Sequence, residues 1–480
     1  MNDRKGFGSN FGFLMAAVGS AVGLGNIWGF PNKMGANGGF PFLILYLALA
    51  LCCGVIIMLG ELALGRKTGH GAVGAYQSIS KRFKWLGWLG IAAAALIFSF
   101  YSALGGYCLR YVVVNFGNLI GAEFGTNGVG GADVFQGLLS QPDVSIAFAL
   151  AFMFITMLVV MSGVGGGIER VCSVGMPALF FILIICIIRS CTLPGAADGL
   201  KYMFVPGWAV ANGIIDEAPG FWKVLTAAGG QMFFSLSLGA GVMITYGSYL
   251  DKKQDLGKSA MIIVGMDTVV ALMAGLCVIP GRFALDPNGA LGGPELLFIT
   301  MQNVFDKMGP AGPVFGILFY LLVFFAAISS SISMLEVIVA HFCDKAREKG
   351  KGDRRKLYSA IAVVICAALC ALVCADGMGS NHISPAELLG LAGAKLPGWS
   401  TSWLGLFDSV AEGLLMPLGA LLMCLMISWE LKPDTLRQEI LLNGENRPWV
   451  YDFFRLCVKY ITPLCMLMIL YGQISDFFIV

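Results

Sequence analysis

The chain has 480 residues, 57% hydrophobic and 12% charged. Soluble domains carry about 25% charged residues, so this chain cannot clothe a water-facing surface and reads as a polytopic membrane protein. A net charge of +2 is too small to suggest a nucleic-acid partner, and the 14 cysteines sit mostly in apolar runs, as at Cys53, Cys108 and Cys366, where Cys acts as a small hydrophobe.

Eleven apolar stretches reach or approach the roughly 18–20 residues that a spanning helix needs. They cover 11–34, 40–64, 86–116, 146–162, 168–192, 222–250, 258–281, 313–342, 357–375, 403–429 and 450–475. Arg4 and Lys5 lead into the first without a cleavage-type ending, so no cleaved leader is expected. Inside it lies Gly19-Ser20-Ala21-Val22-Gly23-Leu24-Gly25-Asn26-Ile27-Trp28. Each interior Gly costs a helix about 1 kcal/mol relative to Ala. An unwound stretch at membrane depth is tolerated only where it is buried in protein or lines a cavity. The glycines alone also fit a close helix crossing. Asn26, and a second stretch of the same kind, favour a break that binds something.

Basic residues set the threading. Arg4 and Lys5, then Arg66 to Lys84, then Lys252 to Lys258, then Lys345 to Lys356 fall on one side of an eleven-span path. The positive-inside rule makes that side the cytoplasm, with the N-terminus inside and the C-terminus outside. The loop 286–312 is expected to form short helices and fold back toward the vestibule, from Gly293-Pro294-Glu295-Leu296-Leu297-Phe298.

The sixth span repeats the first span's chemistry in Gly229-Gly230-Gln231 through Ser235-Leu236-Ser237-Leu238-Gly239-Ala240-Gly241. Two interrupted helices, five spans apart, point to an inverted repeat with its site at the repeat interface. The expected halves are 11–192 and 222–429, with an eleventh helix at 450–475. Half-helix N-termini suit a carboxylate, and loose carbonyls suit sodium. Asp267, in Gly265-Met266-Asp267-Thr268 of the seventh span, is an ionisable group at membrane depth and reads as functional by default. Glu61, near the end of the second span, is expected to bond unwound backbone of the sixth.

With Gly19 to Phe30-Pro31, Asn37-Gly38-Gly39, Glu61 to Arg66, Gln231 to Gly241, Ile244 to Tyr249 and Ser329-Ser330-Ser331, the chain resembles bacterial members of the neurotransmitter:sodium symporter family. The resemblance covers nearly the whole sequence. It implies the LeuT fold, an all-α polytopic architecture of five plus five inverted helices with helices one and six unwound, plus one further helix. It implies two sodium ions. One would meet the Ala21 carbonyl, Asn26, Ser235, Asp267 and the substrate carboxylate; the other the Gly19, Val22 and Ala326 carbonyls with Ser329 and Ser330. Hard cations take oxygen ligands of this kind. Taken without the resemblance, the three serines fit ordinary interhelical hydrogen bonding equally well. Asp267 would supply its negative charge permanently, so no chloride requirement is expected.

The resemblance further implies that a substrate carboxylate meets the Leu24 and Gly25 amides and the Tyr101 hydroxyl. Its ammonium would meet carbonyls near Ala21, Phe234 and Ser235, aided by Ser237. Ile97, Tyr101, Phe234, Ala240, Ser329 and Met334 would line the side-chain cavity. Gly23 takes the place of a monoamine-binding Asp and is expected to leave room, favouring an amino acid. Gly29 replaces the usual outer-gate Arg, so Lys33 is expected to reach Asp408 instead. Arg4 and Asp344 match the inner latch, with Tyr249 as support. Gly167 and Pro177 match a spacing associated with local unwinding of helix five.

The expected function is sodium-coupled symport of a neutral, hydrophobic L-amino acid, aromatic or branched, by alternating access in the lipid of the plasma membrane. The alternatives are a carrier of another small zwitterion (a betaine or β-amino acid) and a non-transporting amino-acid sensor. An enzyme is not expected, because His70, His341 and His382 cluster with no nucleophile. Oligomeric state is left open.

Overall fold

The computed structural model describes residues 6–289, 293–352, 354–390, 398–431, 435–441 and 448–478. Its described residues are helical or irregular, with no strand among them. The membrane-scale helices are numbered here in chain order. The first span is a bent pair, α1 (Asn10–Ala21) and α2 (Gly25–Ala36), with 44° between the pieces. Then come α3 (Phe40–Thr68), α4 (Lys81–Ile120), α5 (Pro142–Met161) and α6 (Val164–Cys191). The sixth span is again two pieces, α7 (Phe221–Leu236) and α8 (Val242–Gly247). The rest are α9 (Leu256–Leu285), α10 (Gly309–Glu348), α11 (Arg355–Gly379), α12 (Trp403–Glu430) and α13 (Pro448–Ser475). Among the described residues nine helices alone are long and apolar enough to cross a membrane, ten with the bent pair. The α7–α8 pair is a further candidate whose pieces are each shorter than a span.

Both breaks have a local cause. Val22 leaves the helix at ψ 99° after donating its N–H to Val18 O, and α2 restarts with a π-wound turn, Gly25–Gly29. In the sixth span Ser237, Gly239 and Gly241 take φ of 52°, 79° and 73°, a left-handed region open to glycine and costly for other residues. Gly239 is also pinned by packing: a Cβ there would lie 2.1 Å from Met416 O of α12. Glu61 Oε1 of α3 accepts the Gly239 N–H at 2.6 Å, which satisfies backbone that the break exposes.

The two breaks face each other. Gln231 Nε2 of α7 donates to Gly25 O at 2.6 Å, and Ser237 Oγ donates to Ser20 O at 3.1 Å. α4, α9 and α10 surround them with buried faces. The loop after α9 folds back as short helices at Leu296–Thr300 and Met301–Asp306. Its Gly293 backbone bonds α2 in both senses, donating to Asn32 Oδ1 at 2.6 Å and accepting from Trp28 Nε1 at 3.3 Å.

Candidate functional site

Three elements bring one carboxylate and its donors together at the breaks. Asn26 Nδ2 donates to Asp267 Oδ1 at 2.7 Å and to its carbonyl at 3.0 Å. Ser235 Oγ lies 3.0 and 2.9 Å from the two carboxylate oxygens. Asn26 Oδ1 accepts the Gly23 N–H at 3.0 Å, tying this amide to the break itself. Asp267 is wholly buried, a position that demands paired donors or a cation. Tyr46 OH of α3 donates to Asp267 Oδ2 at 3.1 Å. Sequence reasoning missed it, because a tyrosine inside an apolar span reads as packing. Ala21 ends α1 at the same break.

A second oxygen-rich place lies between α1 and α10. Ser329 Oγ is 3.0 Å from Ala326 O and 3.4 Å from Val22 O. Ser330 Oγ is 3.1 Å from Ser20 O and 3.4 Å from Gly19 O. The Gly19 and Ser20 carbonyls are available because α1 stops here, so its last turn lacks helical partners; Ala326 O lies inside α10 and is shared with Ser329 Oγ. Both groupings offer neutral or anionic oxygens without soft ligands, which suits a hard monovalent cation.

Between these places lies the candidate substrate region. The Leu24 N–H donates to Tyr101 OH at 2.7 Å. The Tyr101 and Phe234 rings stand 6.3 Å apart, tilted by 58°. Ile97, Ala240, Ser329 and Met334 are all buried. The expectation that Gly23 leaves room is corrected: a Cβ there would lie 2.2 Å from Ser330 Oγ and 2.4 Å from Tyr101 OH. Glycine permits a close approach of α10 and α4 rather than spare volume. The Ser237 hydroxyl is committed to Ser20 O, and the Ser237 N–H donates to Phe234 O at 3.3 Å.

On one side of this region Lys33 forms an ion pair with Glu412 of α12. The expected partner Asp408 stands one turn earlier on α12, within electrostatic reach of both. The sequence-based pairing is therefore corrected by four residues, and Glu412 is the acid that Lys33 touches. Gly230 of α7 makes this possible, since a Cβ there would lie 2.7 Å from Glu412 Oε1 and 3.5 Å from Lys33 Nζ.

On the other side Arg4 lies outside the described residues. Asp344 Oδ2 accepts the Gly71 N–H at 3.1 Å, and Oδ1 lies 3.7 Å from Arg347. Tyr249 OH donates to Glu336 Oε1 at 2.5 Å. Arg355 holds the same carboxylate by two bonds, at 2.5 and 2.9 Å. Sequence reasoning passed over Glu336, although an acid inside the eighth span was the signal for it. Near Gly167 the helix is π-wound over Val164–Glu169, after Gly163 at φ 84°; Pro177 sits inside α6.

The chain matches known proteins along nearly its whole length. The model of the "Sodium:neurotransmitter symporter family" matches residues 4–127 and 133–478. An uncharacterised sodium-dependent transporter of Bacillus subtilis, YhdH, is 36% identical over 97% of each chain. Sodium-dependent nutrient amino acid transporter 1 of Drosophila melanogaster is 26% identical over 72% of this chain and 62% of its own. The crystal structure of MhsT in complex with L-phenylalanine superposes with a TM-score of 0.83, at 34% identity, covering 98% of this chain and 100% of that one.

Proposed function

The chain belongs to the sodium:neurotransmitter symporter family, and from that premise we propose that it carries a neutral, hydrophobic L-amino acid with two sodium ions. It is a sodium-dependent membrane transporter of the LeuT fold and not an enzyme. The observation that carries the substrate reading is the pair of facing breaks with Leu24 N–H and Tyr101 OH between two oxygen clusters. A zwitterion suits that arrangement. Its carboxylate takes the Leu24 and Gly25 amides and the Tyr101 hydroxyl, and its ammonium takes carbonyls at Ala21, Phe234 and Ser235. Ser237 Oγ, bonded to Ser20 O, helps hold the two breaks in place around it. Ile97, Phe234, Ala240 and Met334 leave an apolar side chain as the best fit. The neighbouring structure holds L-phenylalanine, which supports an aromatic side chain here.

Sodium is cargo in this scheme. One ion takes Ala21 O, Asn26, Ser235 and Asp267, the other Gly19 O, Val22 O, Ala326 O, Ser329 and Ser330. Both sets join α1 to helices of the opposite half (Ser235 on α7, Asp267 on α9, Ser329 and Ser330 on α10), so cations there favour one relative position of the halves 11–192 and 222–429. Asp267 brings its own charge, so chloride is not required. Lys33 with Glu412 and Asp408 closes the outer side; Arg4, Asp344 and Tyr249 belong to the inner side. The N-terminus is cytoplasmic and the C-terminus extracellular, in the plasma membrane.

The deciding experiment is uptake into proteoliposomes under an inward sodium gradient. A panel of amino acids competes with labelled leucine and phenylalanine. Sodium-driven uptake inhibited by hydrophobic amino acids is expected. Uptake driven only by betaine or β-alanine overturns the substrate class.

A further inference from the structure

α4 carries a lone cation well before its end at Ile120. At 1.5 Å per residue, Arg110 stands about 15 Å inside the helix, and an ionisable group at such depth marks a functional place by default. Among the described residues its guanidinium has no ion pair and no hydrogen bond. The bland account is an arginine stretched along an apolar surface to reach water. Arg110 is instead partly buried and roofed. Thr126, Val129 and the short helix Gly131–Leu139 enclose with it a cavity of about 250 Å³.

Two further features give this cavity its chemistry. Asp133, in the first turn of the short helix, lines it as well and forms no ion pair with Arg110. α5 begins after Gln141 with no side chain capping its end, so its first N–H groups are open, and Gln141 and Val144 are part of the wall. Arg110 and the start of α5 favour an anion, whereas Asp133 favours a cation. Val114, Val134, Leu138 and Val144 make the rest of the wall apolar. None of these residues belongs to the substrate region between the breaks or to the ion pair at Lys33. The volume is below the roughly 300–1,000 Å³ of sites for drug-sized ligands, so the occupant is smaller than those.

We propose that this cavity is a second binding site for a neutral amino acid, with its carboxylate on Arg110, its ammonium on Asp133 and its apolar side chain against the valines. A ligand with both charges bridges two groups that do not reach each other. Occupancy is felt at the folded-back loop after α9. The Gly131 N–H donates to Asn303 Oδ1 at 2.9 Å, and Phe135 stacks on Phe298 at 5.3 Å. A ligand that steadies the short helix therefore steadies the loop whose Gly293 is bonded to α2. Placing the cavity on the outer face rests on the function proposed above; the choice of a zwitterion rests on the two charges.

Saturation-transfer NMR on the full chain in phosphatidylcholine nanodiscs, with L-leucine in sodium-free potassium buffer, tests it. The site between the breaks needs sodium and is silent there. Leucine is expected to bind the unaltered protein. Arg110→Gln weakens that binding by about 10-fold or more, the scale of losing a hydrogen bond to a charged group. Asp133 is exposed, so Asp133→Asn weakens it by only about 3-fold. Leucinamide, which lacks the carboxylate, binds the unaltered protein about as poorly as leucine binds Arg110→Gln. Absence of sodium-free binding overturns the proposal, as does binding indifferent to both substitutions. Binding abolished by adding phosphatidylethanolamine to the nanodiscs also overturns it, because a lipid headgroup then holds the cavity. If Arg110→Gln fails to fold, Asp133→Asn and leucinamide give the same reading. Sodium-free binding that persists while sodium-driven uptake is absent for every amino acid removes the function proposed above and leaves this site standing.

Discussion

Asn26 Nδ2 donates to Asp267 Oδ1 over 2.7 Å, so the amide at the break of the first span is fixed by the acid of α9. A charge-assisted bond of this kind is about twice as strong as a neutral one. Substituting Asp267→Asn keeps the shape and removes the charge. Half-saturating sodium for uptake is expected to rise about 10-fold or more. A sodium requirement that does not move removes Asp267 from the ion seat. In the unaltered protein, replacing chloride by gluconate at fixed sodium leaves uptake unchanged; abolished uptake refutes chloride independence.

Ser329→Ala and Ser330→Ala each delete one oxygen facing the end of α1. Each is expected to raise half-saturating sodium by roughly 3–10-fold, the worth of a single neutral oxygen contact. Substrate affinity at saturating sodium changes little in Ser330→Ala, whereas Ser329→Ala, at the cavity wall, shifts it as well. Calorimetric sodium titration separates this from a packing defect, which would lower the melting temperature without shifting the titration.

Gly23→Ala places a methyl group 2.2 Å from Ser330 Oγ and 2.4 Å from Tyr101 OH. Overpacking of this kind costs about 1–3 kcal/mol. The melting temperature is expected to fall and uptake to be lost. Uptake at half the native rate or better would mean that α10 and α4 have slack here.

Lys33 pairs with Glu412, and Asp408 is a turn away. Glu412→Gln and Lys33→Ala are expected to speed release of bound labelled amino acid to the outer face by about 10-fold, since truncating one member of a partly buried pair acts on dissociation. Asp408→Asn should act less. A larger effect from Asp408→Asn would return the gate to the position expected from sequence.

Glu336 holds Arg355 and Tyr249 on a wholly buried carboxylate. Removing one partner of a buried pair costs about 3–5 kcal/mol. Arg355→Ala and Glu336→Gln should each lower the melting temperature, and the double variant should lose less than the sum. Additive losses would mean the two groups act independently.

The architecture was legible where chemistry contradicts a continuous span. Closely spaced glycines alone also fit a close crossing, but with Asn26 and a second stretch of the same kind in the sixth span they announced the breaks, while Asp267 at membrane depth announced a functional group. Rotation about a helix was not legible. Asp408 and Glu412 share one face of α12, and nothing in the sequence says which one Lys33 meets. Tyr46 was hidden because its ring packs like its neighbours while only the hydroxyl works. Room at Gly23 was misjudged because a missing side chain marks either a void or a close neighbour.

Ser237 holds a left-handed conformation, φ 52°, between two helical pieces, while Gly239 and Gly241 nearby adopt the same region freely. A residue with a Cβ gives up about 1 kcal/mol in that conformation. The Ser237→Gly protein sheds that strain but also the hydroxyl tether to Ser20, worth about 1 kcal/mol, so its melting temperature should barely move while turnover falls. A hinge can thus trade backbone strain for a cross-link between the halves at no net cost in endurance.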